Sequence, residues 1–217
     1  MTSSLRACTL ALACALCVVA CAAPAGASDA TFFHDVEVDY ADGVSAQLAK
    51  GMDPNARNAY GQVALTAALQ GQSLKAAKVL WEAPGIDLDA RNKADETPLM
   101  MAALKAEADA AAALVARGAA VNKPGWAPLH YAATGGSVAI IRLLLAHGAA
   151  LEARSPNGTT PLMMAARYGS EDAVEALLAA GASLQARNDL GMDAAAFAAS
   201  GGRESLTARL KAAATAR

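Results

Sequence analysis

Cysteine is missing from nearly all of this sequence. All four, Cys8, Cys14, Cys17 and Cys21, fall within the first 21 residues. The rest can therefore form no disulfide, and it offers neither a thiol nucleophile nor a cysteine metal site. Aromatic side chains are scarce too, at 4% of 217 residues, although 55% of the chain is hydrophobic. Alanine supplies much of that apolar count, which suits close contacts between helices better than a membrane bundle. After residue 27 no stretch reaches the roughly 18 uncharged apolar residues that a membrane span needs. Neither sign of charge dominates: 18 Lys and Arg against 20 Asp and Glu leave −2, so no nucleic-acid partner is expected. G-x-S-x-G, H-E-x-x-H, Walker A and G-x-G-x-x-G are all absent, so no enzyme activity, cofactor or catalytic residue is assigned.

The N-terminus has the three parts of a secretory signal over residues 1–27. Arg6 is its single charge, Ala7 to Ala23 is an uncharged apolar run, and Pro24-Ala25-Gly26-Ala27 is a small-residue end. Two products are consistent with it. Cleavage after Ala27 releases a periplasmic protein beginning at Ser28. Alternatively, Val18-Val19-Ala20-Cys21 resembles a bacterial lipobox, whose lipidation at Cys21 would anchor the chain to a membrane and provide its one membrane contact.

The remainder repeats with a period near 33. Ala127-Pro128-Leu129-His130-Tyr131-Ala132-Ala133 returns as Thr160-Pro161-Leu162-Met163-Met164-Ala165-Ala166, and again, degraded, from Asp193 to Ala199. Thr97 to Ala103 and Val63 to Leu69 are earlier copies. Thr before Pro puts a capping oxygen and a preset φ at a helix start. Gly136, Gly169 and Gly202 end that first helix. A second apolar run, such as Val138, Ile141, Leu144 and Leu145, ends at Gly148. Each unit is thus helix, turn, helix and a projecting hairpin-like loop. The 30-residue spacing into the Ala127 copy leaves the loop at Lys123-Pro124-Gly125 three residues shorter than its neighbours.

TPLMMAARYG (160–169), APLHYAATGG (127–136) and GMDPNARN (51–58) resemble ankyrin repeats. KPGWAPLHYAA and SPNGTTPLMMAARYG are similar to segments of exported proteobacterial members. The resemblance implies an all-α ankyrin-repeat solenoid of about six helix-turn-helix units: 28–58 as a divergent N-terminal cap, 59–92, 93–122, 123–155, 156–188, and 189–217 as a C-terminal cap. One unit cannot bury its own apolar face, so stacking must supply the core. Phe32, Phe33, Val36 and Val44 are expected to close one end, with Asp35, Glu37, Asp39 and Asp42 outside. At the other end Leu206 and Leu210 point inward, and Arg203, Glu204, Thr207, Arg209 and Lys211 face water.

The resemblance further implies a non-enzymatic scaffold of the cell envelope, a monomer that holds one protein partner on its loop tips and the concave side of its first helices. Mapped by register, the binding candidates are Trp126, Arg167 and Tyr168, flanked by Tyr60, Met192 and Lys105; Gln62, Gln70, Lys93, Glu96, Leu104, Lys123, Asn157, Thr159 and Leu190 share those positions. Trp, Tyr and Arg dominate interface hot spots. Packing of Trp126 on its short loop, and of Tyr168 on the adjacent hairpin, is the competing reading. A host-directed effector and a metal-binding or enzymatic protein are the alternative functions. His34 and Glu37 stand at i, i+3 but lack further ligands, so no metal is assigned. His130 is expected to make structural hydrogen bonds and His147 to sit at a helix end. Met100, Met101, Met163 and Met164 are read as packing, and Asn157-Gly158 as a tight turn.

Overall fold

The computed structural model describes residues 27–215; the secretory signal and Cys21 lie outside them. Among the described residues twelve helices follow one another in six antiparallel pairs. They are α1 (Ala27–Glu37) with α2 (Ala41–Ala49), α3 (Ala64–Gln70) with α4 (Leu74–Glu82), and α5 (Pro98–Leu104) with α6 (Ala108–Ala116). Then come α7 (Pro128–Gly135) with α8 (Val138–Ala146), α9 (Pro161–Tyr168) with α10 (Glu171–Ala179), and α11 (Ala194–Ser200) with α12 (Glu204–Thr215). Among the described residues the only extended pairing is an isolated bridge between Arg57 and Val63. The odd-numbered helices pack in chain order as an inner row, and α2, α4, α6, α8 and α10 form an outer row.

The inner row is tight because its contact residues are small. Ala102, Ala103, Ala132, Ala133, Ala165 and Ala166 are all fully buried. At the end of α7, a Cβ on Gly135 would lie 2.6 Å from the carbonyl oxygens of Ala103 and Leu104, so no larger residue fits there. The inner helices from α3 to α11 have seven or eight residues, against nine in the outer helices from α4 to α10. Short, closely spaced helices on one side and longer ones on the other curve the stack, concave toward the inner row. Leu65, Leu80, Leu99, Leu114, Leu129, Ile140, Ile141, Leu144, Leu162 and Leu177 run through it as a continuous core.

Helix starts follow the residues at each register. Thr97 and Thr160 accept the N–H of Met100 and Met163, with Pro98 and Pro161 in the first turn. The sulfurs of Met100 and Met163 accept the N–H of Thr97 and Thr160 at 3.4 Å. His130 does the same for Ala127, which has no oxygen of its own: the ring Nδ1 accepts the Ala127 N–H at 3.1 Å. Thr66 holds this register in the second unit. It is too short to reach back, and its hydroxyl is buried without a hydrogen-bond partner.

At the first end Phe32, Phe33, Val36 and Val44 are buried. Asp39, expected outside, is half-buried and accepts the N–H of Ala76 at 2.9 Å, capping α4 from the preceding unit. The last unit also departs from expectation. Arg203 does not face water: its Nη1 donates to the carbonyls of Ala165, Ala166 and Gly169 at 2.9–3.0 Å. These carbonyls lie at the negative end of α9, which a guanidinium meets well, and that of Ala165 also accepts the Gly169 N–H. Thr207 is buried and donates to the Arg203 carbonyl.

Candidate functional site

The projecting loops are built by repeated short-range bonds. Asn58, Asn92 and Asn188 each accept, through Oδ1, the backbone N–H groups two and four residues ahead, which folds the tip. Asn157 and Ser155 share that task in the fifth unit. Arginines then tie tip to tip. Arg57 donates to the carbonyls of Gly61 and Arg91, and Arg154 to those of Gly158 and Arg187. A second ladder runs beneath them. Asn55, Asp89, Asn122 and Glu152 hold one register, and each accepts a backbone N–H from the next unit: Asp87, Ala120, Ala150 and Ser183, at 2.8–2.9 Å. These bonds fix each tip to its neighbour before any partner arrives.

The fourth unit breaks this row. At its junction with the third unit the Ala-Arg-Ser (or Ala-Arg-Asn) that would follow Asn122 is missing, and with it the tip-forming Asn and the linking Arg. Lys123 takes over. Its side chain is only 5% exposed; Nζ pairs with Asp95 on the preceding tip and donates to the Trp126 carbonyl at 3.1 Å. That hydrogen bond, the strongest influence on it, holds the Asp95 carboxyl below its ordinary 3.8. The shortened tip leaves a notch, and a cleft of about 200 Å³ opens there between α5, α7 and α9, lined by Leu104, Trp126, His130, Tyr131, Thr134 and Met164. Its lining is mostly apolar.

Two groups in the cleft are fixed by hydrogen bonds. His130 is fully buried, with Nε2 2.9 Å from the Thr159 carbonyl. Since Nδ1 accepts and Nε2 donates, the ring is neutral. Burial pushes its pKa below the ordinary 6.5, outweighing the opposite pull of the bonds to Thr159 and Ala127. Tyr131 donates to Glu96 at 3.0 Å, and burial, then the Glu96 carboxylate, push its phenol well above the ordinary 10. Among the described residues no three His, Cys, Asp or Glu could together hold a metal ion, and no helix is long and apolar enough to cross a membrane.

A family model described as ankyrin repeats (3 copies) matches residues 36–124 and 118–188, most of the chain. The chain belongs to the ankyrin-repeat family. One curated relative is zygote-specific protein 3 of Chlamydomonas reinhardtii, 35% identical over 98 residues; the match covers 44% of this chain and 26% of that protein. This chain therefore spans about a quarter of that relative's length. Among solved structures it is similar to a chain from the complex of Bd0816, a predatory endopeptidase of Bdellovibrio bacteriovorus, with immunity protein Bd3460. The TM-score is 0.71 at 25% identity, over 84% of this chain and 97% of that one. The neighbour is the immunity protein, an ankyrin-like fold.

Ankyrin stacks are protein-interaction scaffolds, typically without enzymatic activity. In this stack Trp126 is half-buried, its ring meeting His130 edge-on at 5.2 Å and 76°. It therefore packs on its short loop and also lines the cleft. Arg167 and Tyr168 follow Met164 on α9; the guanidinium lies 5.0 Å from the centre of the Tyr168 ring, which is 55% exposed. Lys105, half-buried beside Leu104, ends α5. Of these four, Trp126 lines the cleft; Lys105 adjoins its residue Leu104, and Arg167 and Tyr168 end the helix that contributes Met164. Tyr60 and Met192 do not join them. Tyr60 stands 78% exposed on the second tip, in a separate cleft with Gln62, Gln70 and Lys93. Met192 is half-buried in the last tip, whose exposed residue is Leu190 at 79%. Tyr131 was missed by sequence reasoning, although an aromatic residue where Met101 and Met164 stand in the flanking units marked the register.

Proposed function

We propose that this protein is a non-enzymatic inhibitor-type scaffold of the bacterial cell envelope, which captures and blocks an exported endopeptidase on its concave face. One observation carries the reading: the whole stack matches, nearly end to end, the ankyrin-like immunity protein found in complex with a predatory endopeptidase. The local chemistry agrees with a binding role. Tips joined by the Arg57 and Arg154 bridges form a surface that loses little freedom on association, and Trp126, Arg167 and Tyr168 are residue types that anchor interfaces. The N-terminal signal supports export to the periplasm, as a free protein starting at Ser28 or as a lipoprotein anchored through Cys21.

Two measurements test this reading. Titrated into the exported endopeptidases of its own source organism, the purified stack should abolish the activity of one of them at a 1:1 ratio; no inhibition of any would refute it. Mass spectrometry of the envelope form should find Ser28, or a diacylated Cys21, at the N-terminus; an intact Met1 would refute the export.

A further inference from the structure

The cleft at the notch is small and apolar, and two cations stand at the helix ends beside it. About 200 Å³ falls below the roughly 300–1,000 Å³ of a site for a drug-sized ligand or cofactor. It has room for a side chain. The carboxylates on its tip side are already engaged: Glu96 accepts from Tyr131 and Asn92, and Asp95 pairs with Arg91 and Lys123. On the opposite side Glu107 accepts from Gln72 at 2.7 Å. Two cations have no carboxylate. Lys105 adjoins the cleft residue Leu104, and Arg167 lies one helical turn beyond Met164, its stem beside Gly201 and its guanidinium against the Tyr168 ring. They stand at the ends of α5 and α9, on either side of Thr134 on α7.

We infer that the notch left by the short fourth tip receives one apolar side chain of the partner protein, from a loop whose neighbouring residues are acidic and meet Lys105 and Arg167. This deepens the proposed function by naming the partner segment. An aromatic or leucine-sized side chain fills the space above Trp126, displacing water from Leu104, Tyr131 and Met164. The flanking carboxylates find two cations that no other residue neutralises.

The chain has two tryptophans, Trp126 at the cleft and Trp81 buried on the outer row. Their two indole N–H resonances are a probe and an internal control. Blocked tripeptides of sequence Glu-Phe-Glu, Lys-Phe-Lys and Glu-Ala-Glu are titrated into the full stack. Glu-Phe-Glu should shift the Trp126 indole and leave that of Trp81 in place, and the other two should bind at least about fivefold more weakly. K105E/R167E should weaken Glu-Phe-Glu by about five- to thirtyfold. Thr134→Phe, which fills the cleft and adds no indole, should abolish the shift while the circular dichroism spectrum is kept. Absence of a Trp126 shift, equal binding of the three peptides, or undiminished binding by Thr134→Phe would each overturn the inference. The peptides need no endopeptidase, so the two readings fail separately. A stack that binds Glu-Phe-Glu but inhibits no endopeptidase refutes only the function, and one that inhibits but ignores the peptide refutes only this site.

Discussion

Replacing His130 by Met should trade stability at neutral pH for stability in acid. The residue is fully buried, and its ring joins two units through the Ala127 N–H and the Thr159 carbonyl. Protonation would place a second N–H on Nδ1, facing the N–H of Ala127, so the fold disfavours the charged form as burial already does. Because the folded-state pKa lies below the ordinary 6.5, the unfolded chain takes up the proton first as pH falls. Stability is therefore full above 6.5 and declines below it, by at most about 1.4 kcal/mol per pH unit. Between pH 8 and pH 5 the limiting loss is about 2 kcal/mol. Met fills this register in the flanking units, where its sulfur accepts the same N–H. The variant gives up the bond to Thr159, worth about 1 kcal/mol, but Ser155 still donates to that carbonyl. Wild type should be more stable at pH 8 by about 1 kcal/mol, the curves should cross near about pH 6, and the variant should lead at pH 5. Urea unfolding followed by circular dichroism at pH 8, 7, 6 and 5 measures the difference. Parallel curves would refute the argument.

Three further substitutions address single contacts. Thr66→Val removes a buried hydroxyl without a partner and should raise stability by about 1 kcal/mol in urea unfolding; a loss of that size would mean the hydroxyl is bonded. Ala106 turns α5 into α6 at φ 58°, where Gly136 and Gly202 stand in later units, so Ala106→Gly should add about 0.5–1 kcal/mol, seen as a higher melting temperature. Arg203→Met keeps the aliphatic stem but takes the guanidinium from the Ala165, Ala166 and Gly169 carbonyls at the end of α9, of which only Ala165 keeps the Gly169 N–H, and should cost about 2 kcal/mol. Hydrogen exchange should then quicken in α11 and α12 first, whereas uniform exchange would contradict the capping role.

The repeat period, the Thr-Pro starts and the buried Ala pairs were legible in the sequence because each is local: a cap, a preset φ, a small side chain at helical spacing. The methionines of the inner row were read correctly as packing, though their sulfur acceptors were not foreseen. Less visible was whatever depends on the neighbouring unit. Asn55, Asp89, Asn122 and Glu152 differ in residue type, and only the stack shows that they make one bond. Arg203 looked solvated because its acceptors lie more than thirty residues away. The missing three residues before Trp126 could be counted, but not that Lys123 would replace an arginine bridge and that the gap would open onto Tyr131 and Met164.

The concave face around the notch is proposed to grip a protein. Inhibition constants for the endopeptidase that the stack is proposed to block, measured with wild type, with Trp126→Ala/Arg167→Ala and with the outer-helix control Lys78→Ala/Arg142→Ala, test it most directly. The inner pair should lose at least about a hundredfold in affinity, with its melting temperature close to that of wild type, while the control keeps full inhibition. Equal inhibition by all three, or loss confined to the control, would contradict the account.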